Sequence, residues 1–456
     1  MKWSWLAILA VCVLISSALF SCATNDKAPD SASAPDSASA SDSASAPDSA
    51  VAPPHPWGIC PEWGEGATPL HEKAVRLDAL VRKNHLGDGL LRTVRVDDDG
   101  NVTAYEHQPS TGLWTAMYLA SQAYRYRVTG DEEALENARV AVRGLHDLSA
   151  VTGRRGLYGR AYARPNFEYT YPVEDSPAWT ASSVEGYEGW YFNHDVSKDT
   201  MDGIIYGYAT ALELFEDEEL LAMVRADVLA FAEEFVANGL QIIDWHGEVT
   251  EHGRLYYSAM DDYPGFNAIL VASWLRTAID ASDDGDGPDA ALVHFYDDCL
   301  MRLGDNEDCP KVDSFDLGSY MDAIETLLMV YRPDCDTSYD NIDMVMQAIQ
   351  PLLARETHQS LRERLLAVLE IGIWRPENPE LAPALHQAGY APYTFLYGAL
   401  SQATPDDELF AAAVEDGICT LFRLPEDRHD ATVAAGTQEG VCINRLDHPN
   451  AAERIP

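Results

Sequence analysis

Residues 189–203 hold the densest set of chemistry-bearing side chains in the chain, reading Gly189-Trp190-Tyr-Phe-Asn-His194-Asp195-Val-Ser197-Lys-Asp199-Thr-Met-Asp202-Gly203. If a helix starts near Ser197, Asp199 and Asp202 fall in its first turn and Asp195 stands just before it. Carboxylates held close together can divide labour, one kept protonated by its surroundings and another left ionised. Such a pair can protonate a leaving oxygen and activate water during glycoside cleavage, with its carboxyls about 5 to 10 Å apart. Asp195 and Asp199 are therefore the candidate acid and base. Two other readings compete. Ser197 or Asp195 caps the helix while the remaining carboxylates favour its positive end, or the Asp195-x-Ser197-x-Asp199 run holds Ca²⁺ through oxygen ligands.

The stretch Gly156-Leu-Tyr-Gly-Arg160-Ala-Tyr162-Ala-Arg164-Pro165 precedes it. In an extended segment Arg160, Tyr162 and Arg164 project to the same side. Arginine grips carboxylates through two nitrogens and stacks on rings. In an acidic protein, such a pair offers an acidic sugar a local positive site, or else pairs with Glu168, Glu174 or Asp175. Together with Trp190 and His194, these residues are expected to line subsites. A third patch runs Asp244-Trp-His246-Gly-Glu248-Val-Thr-Glu251-His252-Gly-Arg254, with His246-Gly247 at a hairpin tip. Trp245, His252 and Arg254 are placed to reach a cleft mouth. The His246/His252 spacing fits no recognised zinc motif, so exposed hairpin residues are the expected reading and no resident metal or cofactor is assigned. His107, His194 and His252 are the available bases should the chemistry be elimination or epimerisation. Gly-x-Ser-x-Gly, His-Glu-x-x-His, Walker A and dinucleotide-binding fingerprints are all missing from the chain.

Helices must position these residues. Leu70, Ala74, Leu77, Leu80 and Val81 keep helical spacing over 68–84. Val94, Val96 and Val102 flank Asp97-Asp-Asp-Gly100 as a β-hairpin signal. An aromatic-rich helix, a short acidic turn and a second helix then recur, at 111–128 with 131–150 and at 199–215 with 217–238. Further pairs are expected at 264–280 with 288–303, 316–331 with 340–355 followed by a helix at 359–372, and 391–402 with 406–422. That makes about twelve helices and almost no strand. No helical hairpin buries its apolar face alone, so the copies must stack or close into a ring. The turns within hairpins are mostly short and acidic, while the returns at 151–198, 239–263, 304–315 and 373–390 are long. Long loops gathered on one face of a rigid scaffold are where binding residues usually sit. Trp114, Tyr118, Tyr206, Tyr208, Trp274, Tyr393 and Tyr397 fall on the first helices of the pairs, as core or as a sugar-stacking channel.

Hairpins with aromatic first helices and decorated loops on one face make residues 68 to 425 resemble the six-hairpin, (α/α)6-toroid glycosidase superfamily. Unsaturated glucuronyl hydrolases belong to that group, and sugar 2-epimerases and several polysaccharide lyases have related toroids. The resemblance implies an all-α toroid with long loops and small β-hairpins on one face, acting on carbohydrate. It rests on architecture and carries over no catalytic residue.

The N-terminus reads as an export signal. Met1-Lys2 leads an apolar run over residues 3–20 that ends Leu19-Phe20-Ser21-Cys22. That ending resembles the lipobox of bacterial lipoproteins, which implies cleavage after residue 21 and a lipidated Cys22. Residues 22–55 then form a tether in which Asp30, Asp36, Asp42 and Asp48 recur among Ser, Ala and Pro, with nothing to bury. Residues 56–456 are the expected toroid domain, and a membrane is met only through the lipid anchor. The formal net charge of −43 argues against nucleic acid and anionic headgroups as partners. Of the eight cysteines, six remain beyond the signal and Cys22. In an exported chain they read as disulfides, and Cys299–Cys309, Cys419–Cys442 and Cys60–Cys335 are the expected pairs. The leading expectation is an envelope lipoprotein that hydrolyses oligosaccharides. A non-catalytic glycan-binding or envelope-organising lipoprotein is the alternative, and a lyase or epimerase the second.

Overall fold

The computed structural model describes residues 63–107, 110–256, 264–283, 285–304, 307–309, 319–326 and 339–369. Beyond these it describes residues 395, 417, 418, 421, 436–438 and 441–443. The signal, Cys22, the tether, Cys60, Cys335, Cys419 and the expected last hairpin with Tyr393 and Tyr397 lie outside the described residues. So does the side chain of Cys442.

The described chain is predominantly helical, with small antiparallel sheets. Helix α1 spans Trp63–Asn84. Strands β1 (Val94–Val96) and β2 (Val102–Tyr105) form the expected hairpin around Asp97–Gly100. Helices α2 (Thr111–Thr129) and α3 (Glu132–Ala150) make the first helical pair. The Thr-Gly-Asp-Glu-Glu turn between them works residue by residue. Gly130 takes a left-handed conformation (φ 67°) and donates its N–H to Tyr126 O at 2.8 Å, closing α2. Asp131 then accepts from Glu133 N at 3.0 Å and caps α3. Helices α4 (Lys198–Leu214) and α5 (Glu218–Ala237) repeat the design, with Asp217 accepting from Leu220 N at 2.8 Å.

Helix α6 (Pro264–Ser282) follows, then a short α7 (Ala290–His294) that widens into a π-helical turn over Phe295–Leu300. That turn carries Cys299, which forms the expected disulfide with Cys309, Cα atoms 5.5 Å apart. Helix α8 (Tyr320–Ile324) precedes α9 (Tyr339–Arg355) and α10 (Gln359–Ala367).

Helices α2, α4, α6 and α8 pack side by side in that order, and α3 packs on α5 behind the first two. Small residues set the α2–α4 spacing. A Cβ at Gly207 would lie 2.6 Å from Ala116 O, and one at Gly203 would lie 2.8 Å from Leu113 Cα. The seam therefore closes backbone to backbone. One expected pairing is corrected. Among the described residues, helix α9 lies chiefly on α6 and α4 and not on α8, although 316–318 and 327–331 of the expected α8 partner lie outside the described residues. Its Val345, Ala348, Ile349 and Leu352 are buried. Gln350 accepts from Tyr206 Oη at 3.2 Å, and Arg355 pairs with Asp280 at 2.8 Å, so both faces of α9 are committed to α4 and α6.

Four of the aromatics of the first helices are core, while Trp114 is half-buried. Tyr118, Tyr206, Tyr208 and Trp274 are at most 3% exposed. Besides Tyr206, two more of their polar ends are satisfied inside, Tyr208 Oη donating to Asp227 at 2.8 Å and Trp274 Nε1 to Asp202 at 3.2 Å. These four rings therefore line no stacking channel.

Candidate functional site

The long return after α3 is more ordered than its loop composition suggests. It contains a three-stranded antiparallel sheet in the order β3 (Ala161–Ala163), β5 (Tyr191–Asn193), β4 (Trp179–Ala181). Tyr162 pairs with Phe192 in β5, and Phe192 with Thr180 in β4. This sheet distributes the residues that the sequence had placed together.

At one end of the sheet the chain encloses a cleft of about 450 Å³. Arg164, Phe167, Tyr169, Tyr171 and Tyr191 give its walls a cation and four rings, while Glu168, Glu174 and Asn166 supply oxygens and an amide. The Arg164 guanidinium lies over Phe167 at 4.5 Å and over Trp190 at 5.7 Å, a geometry that holds the cation by its π-faces. Trp190 packs on Tyr162 (4.9 Å) and Tyr187 (5.0 Å), supporting Arg164 from beneath.

A buried ion pair braces the floor. Asp88 and Arg92 are both fully enclosed, with Arg92 Nε donating to Asp88 Oδ2 at 2.7 Å. Arg92 also donates to Tyr162 O, and its guanidinium faces the Tyr162 and Tyr169 rings at 5.7 and 5.4 Å. Tyr169 Oη donates to Asp88 Oδ2 at 3.0 Å and accepts from Arg164 N at 3.2 Å. Tyr162 Oη donates to Asp88 O at 3.0 Å. Tyr162 is therefore not a subsite residue, since its ring is sealed in the core and its hydroxyl is spent on the floor.

His107 closes the back wall. Its ring stacks on Tyr169 at 4.6 Å and meets Tyr171 and Trp179 edge-on at 4.6 and 4.9 Å. Burial, aided by the nearby Arg92 charge, pulls its pKa down to about 4. At neutral pH the imidazole is uncharged, with Nε2–H donated to Tyr171 O at 3.0 Å and a buried Nδ1 that has no partner. A base of pKa 4 is poorly matched to proton abstraction near pH 7, which weakens the lyase reading at this residue.

The expected carboxylate pair is not part of this cleft. Asp195 is exposed and lies 3.9 Å from Arg160 Nη1. Asp199 sits in the first turn of α4, whose cap is Ser197, accepting from Thr200 N at 3.3 Å. The Ser197 hydroxyl is thus committed to the helix, contrary to a calcium ligand. Asp202 is fully buried against Trp274, and burial pushes its carboxyl well above the usual carboxylate range. Neither Asp195 nor Asp199 lines the cleft, and Arg160 is engaged with Asp195 away from Arg164.

The expected hairpin at 241–254 is present, β6 (Gln241–Ile243) pairing with β7 (Val249–Arg254) around a tip at Gly247, φ 86°. His252 and Arg254 are exposed on β7 and do not line the cleft. Trp245 anchors the tip on the preceding loop, donating to Thr152 O at 3.2 Å under Arg154. His194 leaves the end of β5 toward this tip, its Nδ1 3.8 Å from Asp244 Oδ2.

Sequence reasoning missed the Asp88–Arg92 floor and the role of residues 166–174. The signal was present in both cases. Asp88 and Arg92 are four apart in a glycine-rich stretch, and Phe167, Tyr169 and Tyr171 alternate as an extended segment does. No protein-family model matches the chain, and no curated protein matches it either.

Proposed function

We propose that this chain is a lipid-anchored envelope protein whose helical domain, an (α/α)6 toroid, binds a carboxylated oligosaccharide in the cleft at Arg164. One observation carries the reading: a guanidinium held over the Phe167 ring, in a wall of tyrosine rings, inside a cleft large enough for a sugar unit or two. Sugar rings stack on aromatic faces whose hydroxyls supply hydrogen bonds. Arginine takes a carboxylate through two parallel bonds. In a chain of net charge −43, an anionic ligand needs such a local cation. Glu168 and Glu174 suit sugar hydroxyls as acceptors. The side-by-side packing of α2, α4, α6 and α8 with α3 on α5 supports the toroid. The Leu-x-Ser-Cys22 ending and the Ser/Ala/Pro/Asp run after it support the anchor and tether. Binding is favoured over hydrolysis because Asp195 and Asp199 stand away from the cleft, one exposed and the other in a helix's first turn.

The test is calorimetric titration of the full chain with neutral and uronic-acid oligosaccharides, with product release assayed in parallel. Hydrogen bonds to a charged group contribute about 1.5–3 kcal/mol, so Arg164→Ala should weaken the acidic ligand at least tenfold. Neutral ligands should bind the variant and the parent alike. Product release that vanishes in Asp195→Asn or Asp199→Asn would replace binding with hydrolysis. Failure of every saccharide to bind would refute the assignment.

A further inference from the structure

The sheet that carries the cleft leads, at its other end, to a cluster the saccharide reading does not use. We propose that His194, Asp244 and His246 form a binding site for a divalent transition metal, with Zn²⁺ the best match. His194 follows the last residue of β5, while Asp244 and His246 sit two apart at the β6–β7 tip. One ligand atom from each lies within 4.8 Å of the others. Two imidazoles and one carboxylate are a recurrent zinc donor set that leaves a fourth position for water. Donors about 2.0–2.1 Å from zinc at tetrahedral angles stand about 3.3 Å apart, so ion binding must draw His194 and Asp244 slightly closer than their 3.8 Å and turn the exposed His246 toward them.

The surroundings orient each donor. His194 Nε2 lies 3.2 Å from Pro177 O. A carbonyl can only accept, so Nε2 carries the proton and the lone pair of the neutral ring is on Nδ1. That Nδ1 is buried, has no hydrogen-bond partner, and faces Asp244 Oδ2 at 3.8 Å. A lone pair turned toward a carboxylate oxygen is unfavourable unless a metal ion or a second ring proton stands between them. Donation of the second ring nitrogen to a backbone carbonyl is also how metal-ligating histidines are held. Asp244 is fixed the same way. Its Oδ1 accepts from Glu248 N at 2.8 Å while its own N–H donates to Glu248 O at 2.7 Å, leaving Oδ2 directed at His194. The His246 ring meets the His194 ring edge-on at 4.5 Å and is exposed, giving the ion a route in from solvent. The sequence pairs His246 with His252, six positions on, whereas the fold pairs it with His194, fifty-two positions back. That is why no motif announces the site.

The experiment is calorimetric titration of chelator-treated full-length protein with Zn²⁺, repeated on His246→Gln, Asp244→Asn, His194→Gln and the control His252→Ala. One tight equivalent is expected for the parent and for His252→Ala. Loss of supporting groups around such sites costs about 10–100-fold, so each ligand variant should lose about 100-fold or more. Co²⁺ should give visible ligand-field bands in the parent that disappear in His246→Gln. Because His246 is exposed, that variant keeps the test sound even if a His194 variant folds poorly. Equal Zn²⁺ affinity in parent and His246→Gln, or an equal loss in His252→Ala, would show only diffuse binding to an acidic surface and overturn the site.

Discussion

Asp202 illustrates how burial decides the chemistry of a side chain. Its carboxyl is enclosed in the core with one oxygen accepting from Trp274 Nε1 and the other without a partner. Desolvation raises its pKa well above the ordinary value, the Trp274 bond offsets part of this, and the charge of Asp199 adds to it. The unfolded chain ionises Asp202 at about pH 3.9. Between that pH and the raised folded value, the unfolded state releases a proton that the folded state keeps. Stability contributed by the neutral group is therefore complete below about pH 3.9 and is lost as pH rises toward the folded pKa. Asp202→Asn keeps an oxygen for Trp274 and removes the titration. The variant should be more stable than the parent at pH 7, with the gain shrinking toward pH 4 in denaturant midpoints. A constant difference at both pH values would mean that Asp202 is already ionised in the fold. The residue types at 195–202 were legible as acids, but which of them faces water was not. Asp202 sits three positions after Asp199 on the same helix, and only the packing of α6 against α4 decides that Trp274 covers it.

Helix existence and turn chemistry were the most readable features at the scale of elements, because each depends on neighbours in sequence. Gly130 and Asp131 act within one turn, and Asp217 repeats the cap. The three-residue strands β3, β4 and β5 were not readable, since their pairing joins residues up to some thirty positions apart and each strand is too short to show alternation. The partner of α9 was misjudged for a similar reason. Sequence adjacency suggested α8, and long-range packing on α4 and α6 won. The α2–α4 seam supplies the prediction at this scale. A methyl at Gly207 would sit 2.6 Å from Ala116 O and 2.9 Å from Ala116 Cα, both backbone atoms that cannot swing aside. Overpacking of this kind typically costs about 1–3 kcal/mol. Alanine's better helix propensity returns up to about 1 kcal/mol. Gly207→Ala should therefore lower the unfolding midpoint, whereas Gly130→Asn at the left-handed cap should change it little. A Gly207→Ala protein as stable as its parent would show that α2 and α4 slide apart without cost.

The whole molecule carries 74 acidic against 31 basic residues, and only six of the basic ones are lysine. Many of the arginines in the described chain are bound locally: Arg125 to Asp78, Asp131 and Glu133, Arg364 to Asp322 and Glu325, Arg355 to Asp280. These pairs fix particular junctions but leave most of the acidic charge uncompensated. Like charges confined to a compact shape repel more than they do along an extended chain, so the net charge favours unfolding. Salt shortens the reach of that repulsion, from about 10 Å at 0.1 M to about 3 Å at 1 M. The melting temperature should therefore climb from 0.1 to 1 M NaCl, although the exposed pairs lose part of their small contribution over the same range. Sodium and choline chlorides at equal ionic strength separate two origins of the rise. Equal increments would establish screening of the overall charge, whereas a rise in sodium alone would point to discrete cation sites on the acidic surface. A flat or falling melting temperature in both salts would mean that the local arginine pairs dominate. The acidic composition would then be neutral for folding.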